Sequence, residues 1–384
     1  MVTKKEFTVL HVGKYFPPFK GGMENFLADL VKTQAASGEW RPVVLAHGRS
    51  NENLSPFVRL TRSFGEVVHA PISPGFPWAL RNILRLEKPC VMHLHLPNTS
   101  AFWCLVLQEA RDLPWVVHWH SDVVPSQIDR RLVVLYRLYR PLEQSLLRRA
   151  KAIIATSPTY LAHSDPLRAH HAKCHVVPLG IDPERLPSLD RLPIDRAQSL
   201  WGPQRLLRVL SIGRLSYYKG HEVLVRAVAR VPGCRVIIAG TGERRSVLEQ
   251  LIASLGLKQR VTLAGFLADE DLWALLATAD VLCLPSLEKT EAFGVVLLEA
   301  LRYGVPVVAS DLPESGVGWV VRSASSGFLV PAGNVEALGG ILLTLCRDPS
   351  SLKALRCRMS AGFPAQFHIR SVADRLASIY ASCM

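Results

Sequence analysis

Short apolar runs recur along this chain in two series, and most of them are near-continuous rather than strictly alternating between apolar and polar residues. In the first half they are FTVLHVG (7–13), PVVLAH (42–47), EVVHA (66–70), CVMHLHL (90–96), WVVHWH (115–120), KAIIATS (151–157) and CHVVPLG (174–180). Such runs belong to parallel strands buried on both faces. Segments of helical length lie between most of them, among them Glu24–Ser37 and Thr99–Asp112, so the pattern predicts a parallel sheet covered by helices. Residues 182–204, DPERLPSLDRLPIDRAQSLWGPQ, are rich in proline and turn formers. A second series follows: LRVLSIG (207–213), CRVIIAG (234–240), RVTLAG (260–265), DVLCLPS (280–286), VPVVAS (305–310) and GFLVP (327–331). The expected architecture is α/β with two Rossmann-like domains, 1–182 and 207–362, joined by a linker over 183–206. A final helix-like stretch, Ile369–Ser382, follows the breaker Gly362-Phe363-Pro364, and the tail 363–384 is free to pack on either domain, including a return to the first.

Length and composition agree with two domains. The chain has 384 residues, 49% hydrophobic and 20% charged, too long for one ordinary core and ample for two. No stretch reaches the roughly 18 uninterrupted apolar residues of a membrane span, and MVTKKEFTVLHVG runs straight into a strand without the apolar region of a signal peptide. The cysteines, Cys90, Cys104, Cys174, Cys234, Cys283, Cys346, Cys357 and Cys383, are scattered without a C-x-x-C pair. A reducing cytoplasm is the expected setting.

The net charge of +13 is uneven: residues 1–182 hold 22 Lys+Arg against 14 Asp+Glu. Seven basic residues between Arg130 and Lys151 alternate with Leu, Val and Tyr in RRLVVLYRLYRPLEQSLLRRAK. Such a helix can lie on an anionic membrane surface, and a packed helix with a solvated basic face fits the segment equally. No zinc-finger spacing, RNA-recognition motif or helix-turn-helix pattern accompanies the charge, so nucleic acid is not an expected partner.

Ligands of parallel sheets bind at the carboxyl ends of the strands, where this sequence puts its unusual residues. Gly21-Gly22 follow the first strand, His118 and His120 end WVVHWH, Gly213-Arg214 end another run and Gly240-Thr241-Gly242 a third. With two domains facing each other, these ends converge on one cleft. In EAFGVVLLE, Phe293-Gly294 lets the backbone approach a ligand, and the run from Val295 starts a helix whose unpaired N–H groups suit an anion. Glu291 and Glu299 bracket that start, as a ligand with hydroxyls on both sides of a diphosphate requires. A nucleotide sugar is such a ligand, although the pair alone fits an amphipathic helix with two solvated acids as well.

The set FPPFKGGMENF, HWHSD, GRLSYYKG, AGTGE and LPSLEKTEAFGVVLLEALRYGVPVVAS, in this order, resembles the retaining glycosyltransferases of family 4 with the GT-B fold, over nearly the whole chain. The EAFG variant and the opening HVGKYFPP with GGME resemble the bacterial exopolysaccharide and lipopolysaccharide sugar transferases, many of them mannosyltransferases. The resemblance implies that Arg214 and Lys219 contact the donor diphosphate and stabilise the leaving group in place of a metal ion. It implies that Glu291 binds hydroxyls of the transferred sugar, that the backbone around Phe293, Gly294, Val295 and Val296 holds its phosphate, and that Glu299 takes the ribose. Gly265 and Phe266 would frame the base, Gly22 would admit the sugar diphosphate, and His120 would line the sugar site.

The implied activity is hexose transfer with retention, GDP-mannose being the first expected donor and a UDP-hexose the second, to a saccharide or polyprenyl-diphosphate-linked acceptor at the inner face of the cell membrane. No cofactor or metal is expected. Ala292, where many relatives have glycine, marks a branch. A non-hydrolysing sugar-nucleotide epimerase of the same architecture and a non-catalytic nucleotide-sugar-binding protein are the rival readings.

Other signals weigh less. Asp269-Glu270-Asp271 matches the D-x-D of metal-dependent transferases of another fold, but FLADEDLWALLATAD reads as a helix start where acids favour the dipole. His93, His95, His118 and His120 alternate along two strands and so share a face; no carboxylate or cysteine stands at matching spacing to complete a zinc site. Gly240-Thr241-Gly242 lacks the third glycine and the ribose-binding acid of a dinucleotide fold. Glu288 is the poorer carboxylate, displaced from the E-x7-E spacing.

Overall fold

The computed structural model describes residues 7–48, 55–67, 70–124, 130–359 and 362–384. The chain forms two compact units, residues 1–181 with 366–384, and residues 182–365.

The first unit is built on strands β1 (Phe7–Tyr15), β2 (Trp40–His47), β3 (Val58–Thr61), β6 (Val91–Leu96), β7 (Trp115–Trp119), β8 (Ala152–Ala155) and β9 (Cys174–Val176), all parallel, in the order β3-β2-β1-β6-β7-β8-β9. The central strands are buried on both faces because helices cover both: Val9, Leu10, Val12, Val91, Met92 and Leu94 are fully buried. One expectation is corrected here. The run 66–70 is not a strand of this sheet: β4 (Glu66–Val67) pairs antiparallel with β5 (Ala70–Pro71) in a separate small ladder, with residues 68 and 69 outside the described ones. The edge position belongs to β3, whose Val58 and Thr61 are buried while Arg59 is exposed, a pattern that suits an edge. The helix expected over Thr99–Asp112 is instead three short pieces, Thr99–Phe102, Trp103–Val106 and Gln108–Arg111, because Leu107 is extended at ψ 122°. The helix Gly22–Ser37 packs along β2 and against the C-terminal helix Ile369–Cys383, which belongs to this unit.

The basic, apolar-studded segment forms the helix Arg130–Arg149. Its inner face buries Glu143, Leu146 and Leu147, while Val134 is 63% and Leu138 71% exposed, with Leu142, Arg137 and Arg140 also exposed. The side chains of Arg130 and Arg131 lie outside the described residues. Among the described residues no helix is long and apolar enough to cross a membrane.

The second unit has parallel strands β10 (Leu207–Ile212), β11 (Cys234–Ala239), β12 (Val261–Gly265), β13 (Val281–Leu284), β14 (Val307–Asp311) and β15 (Gly327–Pro331) in the order β12-β11-β10-β13-β14-β15. In both sheets the strand order reverses once, between β1 and β6 and between β10 and β13, the doubly wound arrangement. The segment 183–206, read as a linker, is in this unit: the helix Ile194–Trp201 packs on the helix Asp269–Thr278, and the buried Trp201 indole donates to Thr278 Oγ1 at 2.9 Å.

Candidate active site

β10 and β13 are neighbours at the point of order reversal, where a doubly wound sheet binds its ligand beyond the carboxyl ends of the strands. After β10 the chain passes Gly213 (φ 154°), the exposed Arg214 and a turn, Tyr217–Lys219, that ends on Gly220. After β13 it passes Pro285-Ser286 and reaches Glu291. The Leu287 N–H donates to the Tyr218 carbonyl at 2.7 Å and ties the two loops together. Lys219 Nζ thereby comes to 2.5 Å from Glu291 Oε2, the two side chains 13% and 10% exposed. The Ser286 hydroxyl donates to the same carboxylate oxygen at 3.2 Å, and the Ser315 hydroxyl donates to the Glu291 carbonyl. Burial by itself would lower the pKa of Lys219; the charge of Glu291 and its hydrogen bond to the ammonium outweigh it and leave the value above that of an ordinary lysine. The group is a fixed cation at neutral pH.

Gly294 takes φ 74° and starts the helix Val295–Arg302, which no side chain caps. The first N–H groups of that helix, including those of Val295 and Val296, have no carbonyl of their own turn to bond and form the positive end of its dipole. Phe293 contributes backbone only, since its ring is buried 6.5 Å from that of Trp319. Glu299 lies on the same helix, with Arg185 at 3.6 Å. Arg302 and Tyr303 donate to the carbonyls of Pro183 and Pro187 at 2.8 and 3.0 Å, so residues 183–187 are fastened to this helix. Gly265 (φ 70°) ends β12, and Phe266 beyond it is 67% exposed.

The G-T-G triplet has a packing role in this geometry. A Cβ on Gly240 would stand 2.0 Å from the Gly213 carbonyl oxygen, and one on Gly242 2.4 Å from that of Leu215. The glycines let the loop after β11 press against the loop that carries Arg214 and Lys219. Asp269-Glu270-Asp271 occupies the first turn of the helix Asp269–Thr278, with Asp271 3.2 Å from Arg196. Glu288 is half-buried, and burial raises its pKa.

In the first unit Gly22 is exposed at the start of its helix and His120 follows β7, 6% exposed, its backbone N–H donating to the Leu96 carbonyl at 3.0 Å. The strand histidines converge with a fifth, His11. Register places His11 beside His93 and His95 beside His118, so all five rings share one face of three adjacent strands. Ligand atoms of His11, His93 and His95 lie within 4.8 Å of one another, as do those of His95, His118 and His120. Burial holds all five pKa values low, to about 4 at His11 and about 3 at His120, so the rings are neutral at pH 7. Sequence reasoning did not single out His11, which sits in an apolar strand, nor Gln34, which bonds it, nor Tyr380, which bonds Gln34 and His93.

Family models match both units: one described as Glycosyltransferase Family 4 over residues 20–185, and one described as Glycosyl transferases group 1 over residues 196–360. The D-rhamnosyltransferase WbpZ of Pseudomonas aeruginosa is 29% identical over 357 residues, 90% of this chain and 88% of the relative. The phosphatidyl-myo-inositol mannosyltransferase of Mycobacterium leprae is 30% identical over 342 residues, 85% and 84% of the two chains. Among solved structures, Anabaena HepE in complex with UDP-glucose superposes with a TM-score of 0.77 at 22% identity, over 98% of this chain and 99% of that one. With one model on each unit and a relative matched along most of both chains, the protein belongs to glycosyltransferase family 4 and has the GT-B fold.

Proposed function

We propose that the protein transfers a hexose with retention of configuration from a nucleoside-diphosphate sugar to a saccharide acceptor carried on a lipid, in the synthesis of a bacterial surface polysaccharide. The observation that carries this reading is the Lys219–Glu291 pair beside the uncapped helix start at Gly294. A sugar diphosphate placed there meets the ammonium of Lys219, the guanidinium of Arg214 and the N–H groups at Val295 and Val296, which stabilise the charge that develops on the leaving phosphate. Glu291, released from Lys219 by the phosphate, accepts hydrogen bonds from sugar hydroxyls, and Glu299 accepts those of the ribose. No carboxylate of this site is assigned as a covalent nucleophile; the departing phosphate takes the acceptor proton on the same face. The step needs no divalent metal.

GDP-mannose is the donor we propose. D-rhamnose, which one relative is named for, is 6-deoxymannose, and the other is named for mannose, so both sugars share one ring configuration. A lipid-borne acceptor fits the exposed apolar and basic helix Arg130–Arg149, which would bring the enzyme to the inner membrane face. Thermal-shift screening of GDP, UDP and their sugars, followed by assay of nucleotide release with lipid-linked saccharide, tests the proposal. Stabilisation by GDP-mannose with acceptor-dependent GDP release supports it; binding without release, in the presence of acceptor or of water alone, makes the chain a binding protein.

A further inference from the structure

The five buried histidines are joined into a nearly closed ring of directed hydrogen bonds. His11 Nε2 is 2.8 Å from Gln34 Oε1, an acceptor, so His11 carries its proton on Nε2 and accepts at Nδ1. His95 Nε2, 3.2 Å from His11 Nδ1, must then donate, and His95 Nδ1 accepts from His120 Nε2 at 3.0 Å. On the other side, Gln34 Nε2 donates to Tyr380 Oη at 3.4 Å, which turns the Tyr380 proton toward His93 Nδ1 at 2.6 Å. His93 Nε2 then donates to His118 Nδ1 at 3.3 Å. With the Gln34 amide in this orientation each of the five rings carries its proton on Nε2, and no bond in the ring is left with two donors or two acceptors.

The ring has two open ends. His120 Nδ1, a bare acceptor, and His118 Nε2, a donor, are buried and have no partner among the described residues. They belong to rings stacked at 4.3 Å and 5° to each other. One oxygen at about 2.9 Å from each nitrogen would satisfy both open ends. A hydroxyl group has the right equipment, accepting from His118 and donating to His120. Of the five residues only His120 has any exposure, and it stands just past the carboxyl end of β7, so a group entering from the ligand end of the sheet meets it first.

We propose that Gln34, acting through His11 and His95 on one side and through Tyr380 and His93 on the other, fixes the tautomers of His120 and His118 and so builds a site for one hydroxyl group between them. The helix Gly22–Ser37 and the C-terminal helix Ile369–Cys383 supply the positioning residues Gln34 and Tyr380. The hydroxyl comes from bound water or from a sugar; only the second source rests on the function proposed above.

Nuclear magnetic resonance of the full chain labelled with ¹⁵N and ¹³C in histidine reads each tautomer directly and requires no turnover. The expected result at pH 7.5 is Nε2–H at His11, His93, His95, His118 and His120. Gln34→Glu puts an acceptor on both sides, so His93 and His118 should switch to Nδ1–H while His11, His95 and His120 stay as they are. Tyr380→Phe should disturb His93 and His118 alone. Mixed tautomers in the unsubstituted chain, Nδ1–H at His120, a Gln34→Glu chain with unchanged histidines, or one equivalent of metal copurifying on the rings would each overturn the proposal. A shift of His118 and His120 with GDP-mannose but not with GDP assigns the hydroxyl to the sugar; no shift with either assigns it to water, and both results leave the ring standing. Expected tautomers in a chain without transferase activity would refute the proposed function and not the ring.

Discussion

Lys219 and Glu291 are 72 residues apart in the chain, yet their charged ends meet at 2.5 Å because each follows one of the two strands flanking the reversal point of the second sheet. Removing either should be felt in turnover more than in folding, since Ser286 still donates to Glu291 when Lys219 is gone. Lys219→Ala and Glu291→Ala are each expected to lower kcat on the order of 10²-fold or more, the usual cost of one preorganised charge contact. Glu288→Ala should have a much smaller effect. Steady-state kinetics of the three variants, with circular dichroism to check the fold, decide the matter. A large loss in Glu288→Ala beside near-normal Glu291→Ala would show that the wrong carboxylate was chosen.

The cations at this site are expected to do the work of a metal ion. Activity should survive dialysis against EDTA and gain nothing from added magnesium or manganese. Loss in EDTA with recovery on adding either ion would contradict the assignment of Arg214 and Lys219.

Gly240→Ala tests whether the G-T-G triplet packs the loops. Its φ of 147° is unfavourable for a side chain, and the new Cβ would sit 2.0 Å from the Gly213 carbonyl oxygen. Strain and overpacking of this kind cost about 1–3 kcal/mol each. A lower melting temperature and weaker nucleotide binding are expected together, because the displaced loop carries Arg214 and Lys219. Unchanged stability would mean that the close approach is relieved without cost.

How much of this was legible in the sequence depended on how local each feature is. Parallel strands read clearly because both faces are buried, and β1, β6, β10 and β13 are rich in apolar residues. Edge elements did not: VRLT carries an exposed arginine at Arg59, while the more β-like EVVHA holds Glu66 and Val67, both exposed, in a separate small ladder. The break at Leu107 is a backbone choice that its apolar neighbours do not signal. Glu291, Gly294 and Lys219 stood out as motifs within short windows, but the bond between Lys219 and Glu291 needs the sheet order. The histidine ring was least legible, since Gln34 and Tyr380 are 346 positions apart and neither belongs to a motif.

Acid should destabilise the first unit. Each of the five buried histidines binds a proton near pH 6.5 when unfolded but only well below that when folded, at about 4 for His11 and about 3 for His120. Between these values the unfolded chain holds more protons, so stability falls as pH drops below about 6.5. A group such as His11 removes on the order of 3 kcal/mol over that window, and coupling among the five prevents simple addition. Glu143 acts in the opposite direction: burial raises its pKa to about 8, so its contribution is full below the unfolded carboxylate value and is lost as pH rises through about 8. One such group opposes five. Urea midpoints measured at pH 7.5 and 5.5 should therefore fall with acid, and an unchanged midpoint would show that the rings are not buried neutral in solution.

The exposed face of the helix Arg130–Arg149 leads to the last expectation, that the first unit docks on an anionic bilayer. Val134, Leu138 and Leu142 recur every four residues and so form one apolar stripe, exposed to solvent and accompanied by Arg137 and Arg140. An ordinary packed helix would turn such a stripe inward; here the inward face is already occupied by Leu146 and Leu147. Each basic side chain near an anionic surface contributes ~1 kcal/mol, an attraction that salt screens, and the apolar stripe adds burial in the interface that salt does not. Flotation with vesicles containing anionic lipid should thus succeed at low salt, weaken as ionic strength rises, and fail with zwitterionic lipid alone. Arg137→Gln with Arg140→Gln should weaken binding about tenfold or more, as two such contacts require, and Leu138→Asp should reduce what remains at high salt. Binding that ignores both lipid charge and these substitutions, or no binding at all, would make the stripe a site for another partner and leave a soluble saccharide as the acceptor.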